Sequence, residues 1–304
     1  VTPEELDRVA AALGREVTDT STLAGGFSHE TCLVRYAGGQ VVARLGGPDP
    51  AIEAAIMAAG SRYVPTPRVL DIVAATERTR AAMLLEFVSG APLTDMLTSE
   101  NPRALGREVG RVVAAIGTAT FDRPGFFADA ALTVADQPPW SAQLADFAAS
   151  SMKATPDERL DPASKAAWAA LCAEHAPALA AIDDQRRLVH ADINPKNILV
   201  SPAAGGWRVD AVLDWEFGYA GCPYGDAANM VRFGADYPAG FLAGFRAGFA
   251  DHQPYALPED WAYLGRVLDM FALSDLCTRP VGHPVADQVA GLVRGWLRSG
   301  VPRD

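Results

Sequence analysis

The stretch Leu188-Val-His-Ala-Asp-Ile-Asn-Pro-Lys-Asn-Ile-Leu-Val200, followed by Val209-Asp-Ala-Val-Leu-Asp-Trp215, constrains this chain more than any other. It has the form His-x-Asp-x-x-x-x-Asn, then a short hairpin, then a second Asp closing an apolar strand. Ile198–Val200 and Val209–Leu213 are the apolar runs, and Pro202–Gly206 is the expected turn between them. Three oxygen-bearing side chains are thereby gathered on one hairpin. Asp192, on a loop, is a carboxylate able to accept the proton of an attacking hydroxyl. Asn197, five residues on, can turn its amide oxygen onto Mg²⁺, a hard cation that takes oxygen ligands. Asp214, delivered by the returning strand, is the charged ligand that bridges metal and phosphates. The pattern implies phosphoryl transfer, with His190 organising the loop rather than acting as the base.

Composition narrows the partners. The 304 residues suit two lobes or one large domain, with ample core. A formal net charge of −11 argues against nucleic acid and anionic membrane surfaces as partners, and is compatible with a cationic substrate. Cys32, Cys172, Cys222 and Cys277 are scattered without CxxC spacing, which fits neither a zinc site nor a disulfide scaffold and suits a reducing compartment. Val1-Thr-Pro-Glu-Glu-Leu lacks the basic start and apolar run of a signal peptide, and no apolar run reaches membrane-spanning length. The expected location is the cytoplasm.

Along the chain, Thr2-Pro-Glu-Glu reads as a helix start with Thr2 as N-cap, and Gly14 as its stop. Leu23–Tyr36 reads as strand, glycine turn, strand, and Gln40–Leu45 as a third strand. Gly25, Gly26 and Ser28 at the turn would let backbone N–H groups approach phosphates, or form an ordinary glycine hairpin. An Ala-rich helix follows over 51–60. Extended segments over 65–73 and 81–88 precede Ser89-Gly-Ala-Pro92, which breaks the pattern and marks a lobe boundary. Glu86, Phe87 and Val88 beside it are candidates to read an adenine edge through their backbone. Helices are then expected over 102–116, 140–152, 160–182, 224–234, 238–251, 258–279 and 284–298. Trp140, Trp168 and Trp261 fall within these patterns as core or groove-wall residues.

Together these residues resemble the aminoglycoside phosphotransferase family, the small-molecule kinases with a protein-kinase-like fold. The likeness rests on Gly25-Gly-Phe-Ser-His-Glu-Thr31, Val42-Ala-Arg44, Leu84-Leu-Glu-Phe-Val-Ser-Gly90, the loop His190–Asn197 and Leu213-Asp-Trp-Glu-Phe-Gly218. Asp214-Trp-Glu followed by Gly225-Asp-Ala-Ala-Asn229 is similar to the hygromycin, viomycin and capreomycin kinases. The resemblance implies an α+β, bilobal fold: a small, mainly antiparallel-β lobe (1–88), a hinge (89–92) and a larger helical lobe (93–304). It implies ATP or GTP with Mg²⁺ as cofactors, Asp192 as base, and Asn197 and Asp214 as metal ligands. It makes Arg44 the phosphate-side cation and Glu53 its partner, although Glu53 also reads as a solvated first-turn acid. Asp226 falls where the family has an acid bracing the catalytic loop. Three departures stand out: Arg44 for the commoner Lys, Cys222 for Asp in a Gly-Asp-Pro turn, and Ile116-Gly117 for a Leu-His pair.

The expected reaction is phosphorylation of a small cationic antibiotic, an aminoglycoside or a basic cyclic peptide, with resistance as the outcome. Glu216, Asp226 and Asp236 are the candidate substrate acids, with Asp251, Glu259, Asp260, Asp269, Asp275 and Asp287 nearby in sequence. A metabolite kinase for an amino alcohol or sugar-amine is the alternative. A macrolide kinase is another, its groove supplied by Phe233, Tyr237, Phe241 and Phe245. Base and both metal ligands together disfavour a non-catalytic nucleotide-binding module. The absence of an Ala-Pro-Glu motif after Asp214 disfavours a protein kinase. A monomer or homodimer is expected.

Overall fold

The computed structural model describes residues 1–23 and 29–303. The first helix, α1 (Pro3–Leu13), opens on a capping box: Thr2 Oγ1 accepts the Glu5 N–H, and the Glu5 carboxylate accepts the Thr2 N–H. It stops at Gly14, whose φ of 61° is the left-handed conformation that glycine adopts without strain. Next come β1 (Val17–Thr22), β2 (Glu30–Tyr36), β3 (Gly39–Leu45), α2 (Pro50–Gly60), β4 (Val69–Val73) and β5 (Ala82–Glu86). The strands form one antiparallel sheet in the order β1-β2-β3-β5-β4. Alternation gives it two apolar faces. Cys32, Val34, Val41, Ala43, Leu45, Ala82 and Leu84 pack with Val9 of α1 on one face. Met83 and Leu85, on the other, join Ile56 and Met57 of α2 in the main core.

The ladder of this sheet ends at Glu86, and β6 (Ala91–Pro92) already pairs with a strand of the second lobe. There follow α3 (Leu93–Met96), α4 (Pro102–Ile116), β7 (Gly125–Phe126), α5 (Trp140–Ala154), α6 (Pro162–His175) and β8 (Arg187–Val189). A hairpin follows, β9 (Ile198–Ala203) and β10 (Gly206–Val212), and β11 (Tyr219–Gly221) returns to pair with β7 and β8. The helices α7 (Tyr224–Val231), α8 (Ala239–Asp251), α9 (Trp261–Cys277) and α10 (Pro284–Ser299) complete the lobe. Asp49, Asn101 and Asp161 cap α2, α4 and α6, each with proline at the first helical position.

Five expectations need correcting. The hairpin strands extend further than expected, leaving a two-residue turn at 204–205 in which Gly205 takes a φ of 85°. The helix expected over 160–182 ends at His175 and tightens to a 3₁₀ turn over Ala176–Ala181, because Pro177 has no N–H for the Ala173 carbonyl. The 224–234 helix ends at Val231, and the 258–279 helix begins at Trp261. Phe241 and Phe245 are fully buried, not groove walls. They belong to α8, which meets α4 so closely that a Cβ on Gly106, Gly110, Gly244 or Gly248 would strike a facing backbone carbonyl. Trp168 is also core, donating to Ser274 Oγ at 2.9 Å, and Trp261 stacks on Phe249 at 5.2 Å. All four cysteines are buried free thiols. Among the described residues, no helix is long and apolar enough to cross a membrane.

Candidate active site

The loop after β8 is fixed from beneath by one acid. Asp226, fully buried on α7, accepts the His190 N–H through one oxygen (2.9 Å) and the Ala191 N–H through the other (2.8 Å). Burial pushes its carboxyl up to about 7, while the two donors favour the ionised form. His190 is buried beneath the loop, its ring 4.6 Å from that of Trp215. Its Nε2 donates to the Leu213 carbonyl at 2.8 Å and its Nδ1 accepts the Asp192 N–H at 3.2 Å. Burial lowers its pKa to about 4, so it is a neutral strut tying the loop to the far strand. Ala191 (φ 69°) and Asp214 (φ 67°) both stand in the left-handed region. Such residues cost about 1–3 kcal/mol each and persist only where neighbours over-determine them. Asp226 does so for Ala191.

Asp192 is thereby presented with its carboxylate held by amides: Asn194 Nδ2 donates to Oδ1 at 3.1 Å and Asn197 Nδ2 to Oδ2 at 2.9 Å. Burial pushes its pKa up to about 6; the charge of Arg232 opposes that rise and the charge of Asp214 adds to it. Because the Asn197 nitrogen is committed to Asp192, its Oδ1 is the atom left for a cation. Asp214 supplies a carboxylate from the end of β10. This all-oxygen donor set fits Mg²⁺. His29, Asp214 and Glu216 also bring ligand atoms within 4.8 Å of one another.

The two lobes meet at an arginine. Arg44 of β3 donates from Nη1 to Glu53 of α2 and from Nη2 to Asp214, with His29 Nδ1 at 2.9 Å from Nη2. Glu53 is buried and also accepts the Trp215 N–H at 3.1 Å. Burial raises the Glu53 pKa and the Arg44 charge opposes the rise. Glu53 is therefore an interlobe acid rather than a solvated one. Trp215, fully buried, presses on Gly60, where a Cβ would come within 2.7 Å of the indole. Glu86 belongs to β5: its N–H is given to the Arg68 carbonyl and its carboxylate accepts the Arg68 N–H, so backbone beyond the ladder begins at Phe87 and Val88. Gly25, Gly26 and Ser28 lie outside the described residues.

A groove of about 510 Å³ opens beside Asp192. Glu216 also lines it, with Oε2 3.5 Å from His29 Nδ1. Part of its wall is aromatic. Phe126, Trp140 and Tyr219 meet at 5.1–5.5 Å between ring centroids, and Phe271 extends the wall from Trp140 (5.9 Å) to Phe147 (5.3 Å). Of this wall the sequence offers Trp140 as a core or groove-wall residue; the remaining rings are not evident from it, and the cluster of Phe121, Phe126 and Phe127 ahead of the helix is their one signal.

The candidate substrate acids divide. Asp226 faces the loop backbone and not the groove, so it is a brace rather than a substrate contact. Asp236 is exposed in a 3₁₀ turn after α7 and, among the described residues, does not line the groove. Asp251 and Asp287 are paired with Arg107 and Arg159 outside it. Asp269 and Asp275 do line it, but Asp269 is held by Arg232 (2.5 Å) and Asn229 (2.8 Å), and Asp275 faces Arg279 at 3.2 Å. Two of the departures from the expected motifs are neighbours: a Cβ on Gly117 would lie 3.1 Å from Pro223, which follows the buried Cys222.

Comparison with known proteins bears on the whole chain. The fold matches aminoglycoside phosphotransferase APH(4)-Ia with a TM-score of 0.76 at 22% identity, covering 99% of this chain and 100% of that one. A thermostable mutant of that protein in ternary complex with ADP and hygromycin B matches at 0.73 and 21%, covering 99% and 100%. The GDP complex of an aminoglycoside 2'-phosphotransferase-IIIa mutant matches at 0.64 and 12%, covering 98% and 94%. At these identities the likeness shows the bilobal kinase-like fold. No curated protein matches in sequence. The profile of the phosphotransferase enzyme family, by contrast, matches residues 19–262, which span the Arg44 strand, the catalytic loop and Asp214. The chain belongs to that phosphotransferase enzyme family.

Proposed function

We propose that this chain transfers the γ-phosphate of ATP to a hydroxyl of a small-molecule antibiotic held in the groove beside Asp192. The observation that carries this reading is the position of Asp192, which lines the groove while hydrogen-bonded to Asn197 at its back. The hydroxyl oxygen attacks the γ-phosphorus, its proton passes to an Asp192 oxygen, and the bond to the β–γ bridging oxygen breaks to release ADP. Asn197 and Asp214 would hold Mg²⁺, which neutralises charge on the phosphate oxygens when bound. Arg44 stands where a phosphate-side cation is needed, steadied by Glu53. Phe87 and Val88 would offer backbone to the base of the nucleotide. Antibiotic complexes among the similar folds support the substrate type. In the cytoplasm, such a reaction would protect the cell from its substrate.

The test is ADP release from ATP, and from GTP as a comparison, with a panel of hydroxyl-bearing antibiotics and amino alcohols. Gain of one phosphoryl group by the acceptor, seen by mass spectrometry, is expected for an antibiotic. Turnover confined to a simple amino alcohol would contradict the antibiotic reading, and phosphorylation of no alcohol would contradict transfer itself.

A further inference from the structure

The groove says more about its occupant than that it carries a hydroxyl. Phe126, against the buried Trp140, is 50% exposed, and Phe147, against Phe271, is 39% exposed. Contiguous exposed rings are unusual on a soluble surface and mark sites of contact. On the groove face of α9, Leu268, Phe271, Ala272 and Leu276 are apolar, and the two acids it adds to the lining, Asp269 and Asp275, are paired with Arg232 and Arg279.

The charges give the same reading. Of the acids lining the groove, Glu53 is tied to Arg44 and Trp215, Asp269 to Arg232 and Asn229, and Asp275 to Arg279. Asp49 caps α2 by accepting the Ala51 N–H. That leaves Asp192, held by Asn194 and Asn197, and Glu216, which faces His29 Nδ1 at 3.5 Å, as the acids of the reacting end. A polycation would set most of its ammonium groups against rings, or near Arg232 and Arg279. A cation over an exposed ring gains only about 0.5–1 kcal/mol. Two lining residues also hold buried polar atoms without partners among the described residues: the Trp140 indole N–H, in a residue 5% exposed, and Asn229 Oδ1, in a residue 8% exposed. The Asn229 amide is oriented by its Nδ2 bond to Asp269, so Oδ1 is an acceptor in want of a donor. An unpaired buried polar group costs about 1–3 kcal/mol, which a ligand can recover.

Resting on the transfer reaction proposed above, we infer that the substrate is an amphiphilic alcohol carrying at most one positive charge. Its apolar face lies along Phe126, Trp140, Phe147 and Phe271, and its polar end reaches Asp192 and Asn229. The aromatic wall, rather than a set of acids, determines specificity.

The probes are erythromycin, a monocationic macrolactone; chloramphenicol, a neutral aryl diol; and hygromycin B, a polar multiply charged sugar. Binding is followed by calorimetry and transfer by ADP release, at low and high salt. At least one amphiphile should show a KM about tenfold or more below that of hygromycin B, and little change with salt, since apolar contact is not screened. Phe147→Ala should raise that KM about tenfold while kcat stays within about threefold. Trp140→Phe, which keeps an aromatic ring, though a smaller one, and loses the N–H, should raise KM about three- to tenfold. Preference for hygromycin B, with a KM that climbs with salt and ignores Phe147→Ala, overturns the inference and leaves phosphoryl transfer standing. Calorimetric binding of an amphiphile that Phe147→Ala weakens, without any transfer, upholds the inference and removes the proposed reaction. Failure of both amphiphiles to bind overturns it.

Discussion

Arg44, Glu53 and Asp214, on the proposed nucleotide side of the cleft, satisfy one another, whereas the proposed substrate side presents rings and, among the described residues, two buried polar atoms without partners. Fixed, mutually oriented charges suit a step in which charge develops on phosphate oxygens, because little has to reorganise when it does. Rings with few rotatable bonds suit contact with a body of varied shape. The nucleotide side is thus specified by pairs of atoms and the substrate side by area. Mutations should therefore act on different kinetic constants in the two regions.

The largest effect is expected at the base. Asp192→Asn should keep nucleotide and substrate binding and lose about 10²–10⁴-fold in kcat. A loss expressed in KM instead would move Asp192 from the chemistry to the groove. Asp214→Ala should cost about 10²–10³-fold in kcat, and a higher Mg²⁺ requirement should accompany it. An unchanged Mg²⁺ titration would take Asp214 out of the metal site. Asp226→Ala strips the acceptor from two buried N–H groups at about 1–3 kcal/mol each. A clear fall in Tm with a disordered catalytic loop is expected, and an unshifted melting curve would show that the loop holds itself. The smallest effect is expected at Arg44→Lys. One ammonium cannot bridge Glu53 and Asp214 as a planar fork does, and the loss of roughly 1 kcal/mol should weaken ATP binding about fivefold. Equal affinity by calorimetry would reduce Arg44 to an interlobe strut.

The same contrast explains what could be read from the chain. Asp192, Asn197 and Asp214 lie on one hairpin, so their spacing alone brings them together. Asp49-Pro50, Asn101-Pro102 and Asp161-Pro162 mark helix starts through purely local capping. The aromatic wall draws on β7, α5, β11 and α9, segments up to about 145 residues apart (Phe126 to Phe271), and nothing in any one segment announces the others. By sequence Phe241 and Phe245 could line a groove, since sequence does not tell which face of α8 turns inward. Gly244 and Gly248 decide it by admitting the α4 backbone. Likewise, Asp269 looks like a substrate acid until Arg232, from another helix, is seen to hold it.

The base assignment is tested most directly by the pH dependence of kcat/KM for wild type and Asp192→Asn, with any alcohol that is phosphorylated. Burial raises the Asp192 pKa to about 6, so the carboxylate carries its proton below that pH and is ready to accept one above it. Wild-type kcat/KM should fall about tenfold per unit below a break near pH 6 and level off above it. The residual activity of Asp192→Asn should show no such break. A break that survives in Asp192→Asn would assign the titration to another group and contradict the account.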